Sequence, residues 1–268
     1  MIIQQVHVHR KGQPKVGTRK LGRHLEEFKH NHSIKLGRDA LFELLRENKL
    51  LIRKRRRTVQ TTFSRHWMRK YPNLIKGRVF TSPNTLWVSD ITYLQVGDGF
   101  CYLSLVTDGY SRKILGYYLS KTLEADGCIK ALLMALINCP SPNNLIHHSD
   151  RGVQYCCKNY VQILIDNEIQ VSMTESGDPL ENALAERVNG ILKAELLEEK
   201  YEDFTKAQIS VAQAINTYNN LRLHASCNML TPSAAHLLQG ELKKHWKNYY
   251  KKGGNNEITK TLSCVNQI

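Results

Sequence analysis

The sequence lacks the features of a membrane, secreted or disulfide-stabilised protein. It contains no run of about 18 apolar residues, so no membrane span is expected. Its start lacks the basic and apolar regions of a signal peptide. The seven cysteines are an odd number and form no C-x-x-C pair, and the N-terminal histidines have no cysteines near them. Reduced thiols in the cytoplasm fit this pattern better than a disulfide framework or a structural zinc site.

Acidic residues are scarce in the first part of the chain. The whole chain has 268 residues and a net charge of +14. Residues 1–80 hold 21 Lys+Arg against 5 Asp+Glu, residues 81–240 hold 11 against 17, and residues 241–268 hold 6 against 2. Such asymmetry is typical of a protein that binds a polyanion, nucleic acid before membrane. We therefore divide the chain into a basic region (1–52), a basic linker (53–80), a core (81–240) and a basic polar tail (241–268).

The basic region contains two short helical patterns. Leu21, Leu25 and Phe28 have helical spacing, and a second apolar stripe begins at Ala40. A basic helix pair fits a helix-turn-helix-like DNA-binding region, and it fits a generic helical hairpin equally well. The run at 53–57 cannot pack in a core and indicates phosphate contact, although solvated charge runs are common. The residues assigned to DNA contact here are Arg19, Lys20, Arg38, Arg53, Lys54, Arg55, Arg56 and Arg57.

The core begins with three segments rich in β-branched and aromatic residues, separated by turn signals. This pattern predicts an antiparallel meander, and the segments after it alternate between helical and strand patterns. We expect an α/β fold with a mixed five-stranded sheet flanked by helices. The predicted strands are 87–96, 100–107, 113–119, about 144–149 and 169–173, and the predicted helices are 123–138, 155–167, 181–200, 205–219 and 232–239.

Three carboxylates of the core have unusual positions. Asp90 lies in the middle of an apolar strand, where a charge costs several kcal/mol unless it is paired or binds a cation. Asp150 ends a buried strand, where open α/β sheets gather ligands. Glu186 shares a polar helix stripe with Asn182, Asn189 and Lys193. Each acid alone fits an ordinary turn or surface residue, but together they offer the oxygen ligands that Mg²⁺ or Mn²⁺ prefers.

The spacing of these acids resembles a known arrangement. Between Asp150 and Glu186 lie 35 residues, as in the DDE triad of the retroviral-integrase superfamily. The surrounding motifs look like those of insertion-sequence transposases whose second reading frame encodes the integrase core. One departure is Leu180-Glu181-Asn182, where many members have an aromatic residue followed by Asp-Asn. The segments that carry the resemblance are 83–93, 102–112, 147–155, 181–193, 219–224 and 231–232.

The resemblance implies a ribonuclease-H-like fold and Mg²⁺-dependent DNA strand cleavage and strand transfer at the ends of an insertion sequence. Asp90, Asp150 and Glu186 would be the catalytic residues and would hold two Mg²⁺ or Mn²⁺ ions. Lys193 would contact DNA, and His147, His148 and Asn182 would support the site. The implied partners are double-stranded DNA of the element ends and target, a first-frame helix-turn-helix protein, and further copies of the chain in a multimer on DNA.

Two other functions fit parts of the sequence. One is a non-catalytic DNA-binding regulatory fragment of a transposase, and the other is a hydrolytic nuclease on the same fold. The complete set of Asp90, Asp150 and Glu186 favours the transposase over a decayed fragment. A hydrolase triad of Asp90, His147 and Ser149 leaves Glu186 and the basic region unexplained. The glycine-containing segment 12–19 lacks the Lys-Ser/Thr ending of a P-loop.

Overall fold

The structure is a computed structural model that describes residues 1–52, 67–139, 144–175, 182–243 and 245. Some of the predicted DNA contacts therefore lie outside the described residues, as does almost all of the predicted tail. The contacts concerned are Arg53, Lys54, Arg55, Arg56 and Arg57.

Residues 1–52 form what we call the N-terminal helical unit. It has four helices in place of the two that the pattern predicts: α1 (Ile2–Gly12), α2 (Thr18–His24), α3 (Glu26–Asn31) and α4 (Arg38–Glu47). The first was missed because its buried apolar residues, Ile2 and Val6, occur only in its first half. The unit has its own apolar cluster, formed by Ile2, Val6, Val16, Leu21, Leu25, Leu41 and Leu45.

The core is built on a mixed sheet. Its strands are β1 (Leu86–Val96), β2 (Gly99–Asp108), β3 (Ile114–Ser120), β4 (Ile146–Ser149), β5 (Gln170–Met173) and β6 (Lys200–Tyr201). The order is β3-β2-β1-β4-β5, and β6 pairs with β1. The β1–β2 and β2–β3 pairs are antiparallel, whereas β4 is parallel to both β1 and β5. The five predicted strands are present, and the sixth was missed because two residues show no alternation.

The helices of the core differ in detail from the prediction. They are α5 (Ala125–Ile137), α6 (Val153–Cys156), α7 (Lys158–Asp166), α8 (Ala183–Ile191), α9 (Phe204–Asn220) and α10 (Pro232–Ala235). The predicted helix 155–167 is broken at Cys157, whose backbone is extended. The predicted helix 181–200 was too long: after Ile191 the chain continues as a π-helix, Leu192–Leu196, which we call the π segment.

Helices cover both faces of the sheet. On one face, Leu103 and Leu119 of the sheet pack with Val188 of α8 and with Val211 and Tyr218 of α9. On the other, an apolar cluster joins the sheet to α5 and α7; its largest buried members include Trp87, Leu132, Leu145, Tyr160 and Leu164. This layered packing holds the ends of β1 and β4 next to α8.

Candidate active site

The pairing of β1 with β4 brings two of the predicted acids together. The strands run parallel with Trp87 opposite His147 and Val88 opposite His148. Two residues further along the same register, Asp150 follows the end of β4 at the level of Asp90. Because parallel neighbours at one level point to the same face, both carboxylates are directed to the same side of the sheet.

Asp90 is held by two donors and carries an unusual pKa. The backbone N–H of Ile91 donates to its Oδ1 at 2.9 Å, and Asn189 Nδ2 donates to its Oδ2 at 2.8 Å. The pKa of Asp90 is raised to about 7: burial raises it most, the charges of Asp150 and Glu186 also raise it, and the two hydrogen bonds lower it. The proton of Asp90 is therefore easily exchanged near neutral pH.

Asp150 lies in a tight turn that depends on a glycine. The backbone N–H of Gly152 donates to Asp150 Oδ1 at 2.9 Å. A Cβ at Gly152 would lie 3.0 Å from that oxygen and 3.1 Å from Gln154 Oε1, so a side chain here would crowd the carboxylate. Burial raises the pKa of Asp150, and the charge of Glu186 raises it as well.

Glu186 comes from α8 and completes the electrostatic group. Its charge acts on both aspartates, which shows that the three predicted acids share one neighbourhood. Across the described ranges, however, no set of three or more His, Cys, Asp or Glu side chains is placed so as to hold a metal ion. The side-chain oxygens of Asn182 and Asn189 are buried and accept no hydrogen bond within the described part of the chain.

Two asparagines connect α8 to β1. Asn182 Nδ2 donates to the backbone oxygen of Ser89 at 3.2 Å, directly before Asp90. Asn189 contacts the Asp90 carboxylate itself. The sequence placed Asn189 on the polar stripe of Glu186 but gave it no role, although its spacing of three residues from Glu186 was the available signal.

His147 and His148 are buried inside the sheet, where hydroxyl groups lie close to both rings. Ser89 Oγ and Tyr160 Oη lie 2.7 Å and 2.9 Å from His147 Nε2, and His148 Nδ1 lies 2.8 Å from Ser172 Oγ. Burial, with a smaller effect of His148, lowers the pKa of His147 to about 3, so the ring is neutral at pH 7. These rings join neighbouring strands, and through Ser89 His147 supports the residue before Asp90.

The sequence and fold match known proteins. Two family profiles described as "Integrase core domain" match residues 81–179 and 167–232. The "Insertion element IS600 uncharacterized 31 kDa protein" of Shigella sonnei is 34% identical over 221 residues, which are 81% of this chain and 80% of that protein. "Transposase InsF for insertion sequence IS3A" of Escherichia coli K12 is 33% identical over 193 residues, 70% of this chain and 66% of that protein. The chain belongs to the insertion-sequence transposases of the integrase superfamily.

A solved structure supports the fold of this transposase. The "simian T-cell lymphotropic virus intasome in complex with PP2A regulatory subunit B56 gamma" includes a chain of similar fold. The match spans 92% of the transposase and 77% of that chain, with a TM-score of 0.51 and 18% sequence identity. The predicted ribonuclease-H-like fold is thus confirmed. The family profiles and the sequence relatives confirm the transposase family and the enzyme class. Divalent-metal dependence is a property of the integrase core family.

The predicted DNA contacts of the transposase lie on several elements. Lys193 is partly buried in the π segment, just after the helix of Glu186. Arg19 is exposed on α2, and Arg38 is exposed with its guanidinium 2.8 Å from Asp39. Lys20 differs, because its side chain is only 15% exposed and its amine lies 3.4 Å from Glu195 of the core. The role of all four in DNA binding stays a prediction, and the placement of Lys20 argues against it.

The side chain of Ser149 does not take part in a hydrolase triad. Ser149 Oγ donates to the backbone oxygen of Asp150, so a triad of Asp90, His147 and Ser149 is not formed. None of the helices in the described ranges has the length and apolar character needed to cross a bilayer.

Proposed function

We propose that this transposase cleaves and joins DNA strands at the ends of an insertion sequence, with Asp90, Asp150 and Glu186 as the catalytic residues. The observation that carries the proposal is the placement of three carboxylates, Asp90 on β1, Asp150 after the end of β4 and Glu186 on α8, with the charge of Glu186 acting on both aspartates. Two buried aspartates whose pKa values are raised by a neighbouring acid are costly without a cation, and a functional site explains the cost.

The chemistry of the three carboxylates suits two Mg²⁺ or Mn²⁺ ions, although no set of three is placed around one ion position within the described residues. Carboxylate oxygens are the preferred ligands of these ions, and a divalent charge would relieve the repulsion among the acids. The unpartnered oxygens of Asn182 and Asn189 add polar atoms to the same place. Asp90, Asp150 and Glu186 would hold these ions, which would supply Lewis-acid stabilisation of the charge that develops on phosphate oxygens.

The protein residues have positioning roles around this chemistry. Ile91 and Asn189 fix the two oxygens of Asp90, Gly152 fixes Asp150, and the surrounding burial limits access of water. No side chain is needed as a nucleophile, because water attacks in strand cleavage and a DNA 3′-hydroxyl attacks in strand joining.

The partners of the reaction follow from charge and family. We propose that double-stranded DNA of the element ends and the target is held by Lys193, Arg19, Arg38 and the basic run 53–57, which lies outside the described residues. Since both ends are held together in transposition, further copies of the chain, and a first-frame helix-turn-helix protein, would complete the complex.

The test compares Asp90→Asn and Glu186→Gln with Glu124→Gln, an exposed acid at the start of α5. The assay uses the element's own terminal repeats and Mg²⁺. We expect Asp90→Asn and Glu186→Gln to lose strand transfer and to keep nearly full affinity for duplex DNA. Glu124→Gln should keep both activities. Equal loss of DNA binding and activity would contradict the assigned roles. Cleaved products that are never joined would favour the nuclease, and binding without any Mg²⁺-dependent product would favour the regulatory fragment.

A further inference from the structure

A partly buried ion cluster joins the N-terminal helical unit to the core. Lys20 Nζ of α2 lies 3.4 Å from Glu195 Oε2 in the π segment, although 175 residues separate them in sequence. Beside this contact, Gln13 Nε2 donates to the backbone oxygen of Leu221 at 3.0 Å. Side chains at 15% and 25% exposure place Lys20 and Glu195 at an interface inside the chain.

Glu195 is shared by two cations. Arg222 binds it with two parallel hydrogen bonds, Nε to Oε2 at 2.8 Å and a terminal nitrogen to Oε1 at 2.7 Å, and is itself only 5% exposed. Such bidentate pairs are strong and fix geometry. One carboxylate therefore stands between two cations, and without it Lys20 and Arg222 would face each other in a place with little water.

The electrostatics of Lys20 show how much it depends on Glu195. The pKa of Lys20 is lowered to about 8: burial lowers it most, the charge of Arg222 also lowers it, and the charge and hydrogen bond of Glu195 oppose both effects. A lysine in such surroundings is poorly placed to receive a DNA phosphate, since its amine is already engaged and shielded.

Glu195 is also connected to the catalytic residue Glu186. The two lie nine residues apart on one continuous helical segment, α8 followed by the π segment. The π segment has more residues per turn than an α-helix, so the angle between the two side chains is not that of an ideal α-helix. Their contacts differ: the charge of Glu186 acts on Asp90 and Asp150, whereas Glu195 binds Lys20 and Arg222. One segment thus presents one acid to the catalytic site and another to the N-terminal helical unit.

We propose that Glu195 is a positioning residue that docks the N-terminal helical unit onto the segment carrying Glu186, and that Lys20 serves this docking and not DNA contact. The consequence for catalysis rests on the proposed function: DNA held by the N-terminal unit is then kept in a fixed position relative to the helix of the catalytic glutamate.

A double-mutant cycle tests the docking in the full chain without DNA. The variants are Glu195→Gln, Lys20→Met and the pair, and the measurement is amide hydrogen exchange in α2, in the π segment and, as a control for folding, in β2. We expect Glu195→Gln to raise exchange in α2 and the π segment, because two cations are left facing each other. When Lys20→Met is added to Glu195→Gln, the exchange rates in α2 and the π segment should fall by more than about twofold relative to Glu195→Gln alone. Purely additive effects, or a rise confined to the π segment, would overturn the proposal.

Arg19 provides the matched control, since it is the neighbouring cation and is exposed. In combination with Glu195→Gln, Arg19→Met should have an additive effect on exchange. DNA binding should distinguish the same two lysine and arginine variants in the opposite way. Arg19→Met should reduce the slope of log affinity against log salt concentration by about 0.9, whereas Lys20→Met should leave this slope unchanged. A reduced slope for Lys20→Met would make Lys20 a phosphate contact and refute its docking role. Amide exchange is measured without DNA, so the exchange data test the docking role even if the protein fails to transfer strands.

Discussion

Asn189 is a side chain of α8 that affects the protonation of Asp90. Its amide donates to the carboxylate and thereby lowers a pKa that burial and two neighbouring acids raise. A donor of this kind stabilises the charged form of an acid. The hydrogen bond therefore keeps Asp90 closer to the ionised form that a metal ligand requires.

Replacing Asn189 with alanine should consequently shift the pH profile of Mg²⁺-dependent strand transfer towards higher pH, by about half a unit to one unit. The measurement is the rate at saturating Mg²⁺ between pH 6 and 9. Asn182→Ala is the matched control, because Asn182 donates to the Ser89 backbone and not to a carboxylate. An equal shift in both variants would contradict the role of Asn189.

Asp90 should also make the metal-free protein less stable as pH rises. Its pKa is about 7 in the folded protein and 3.8 ordinarily, so between these values the folded state holds a proton that the unfolded chain has released. The free energy of unfolding therefore falls as pH rises from about 4 to 7, by at most about 4 kcal/mol.

Asp90→Asn removes this dependence. In urea unfolding with EDTA, the variant should gain stability relative to the natural protein as pH rises through the same window. Asp166→Asn, at an exposed position, is the matched control for the substitution itself. A flat difference for Asp90→Asn would mean that the folded carboxyl titrates near its ordinary value.

The helices and strands of the core show which structural features could be predicted from local sequence patterns. The strands were predicted to within a few residues, because alternation and turn residues mark both their faces and their ends. The break at Cys157 and the change at Leu192 were missed, because apolar side chains continue at helical spacing through both. The register that aligns Asp90 with Asp150 depends on strand pairing, which local periodicity does not encode.

Two glycines of the core should respond oppositely to alanine. A Cβ at Gly116 of β3 would lie 2.0 Å from the Ala131 backbone oxygen of α5, whereas a Cβ at Gly190 of α8 would meet nothing within 4 Å. We expect Gly116→Ala to lower the free energy of unfolding by about 3 kcal/mol or more, because backbone has to move. Gly190→Ala should raise it by about 0.5–1 kcal/mol through helix propensity.

Chemical denaturation of the two variants under identical conditions checks this pair. A Gly116→Ala protein as stable as the natural one would mean that β3 and α5 are further apart than described. A destabilising Gly190→Ala would indicate a neighbour that the described residues do not include.

At the scale of the whole molecule, charge separates the surface proposed for DNA from the catalytic core. The sequence predicted this division from composition alone, and the positions and spacing of three acids predicted them as the catalytic residues. It assigned Lys20 to DNA because a charge count carries no information on which cations meet an acid from a distant segment. Burial and tertiary pairing decide that question, as Glu195 shows.

The basic run outside the described residues should contribute to DNA affinity mainly through phosphates. Replacing Arg53, Arg55, Arg56 and Arg57 with glutamine should weaken duplex binding and reduce the salt slope by about 0.9 for each phosphate that is no longer neutralised. The measurement is duplex affinity across a range of salt concentrations. Unchanged salt dependence would show that the run does not bind DNA.

The pairing of β1 with β4 also bears on how such transposases vary. The distance between Asp90 and Asp150 is set by hydrogen bonds between neighbouring strands, so the number of residues that join them has no effect on it. Insertions in the turns around β2, β3 and α5 leave the two carboxylates where they are. A search for distant relatives should therefore leave that interval open in length and rely on the order of strands.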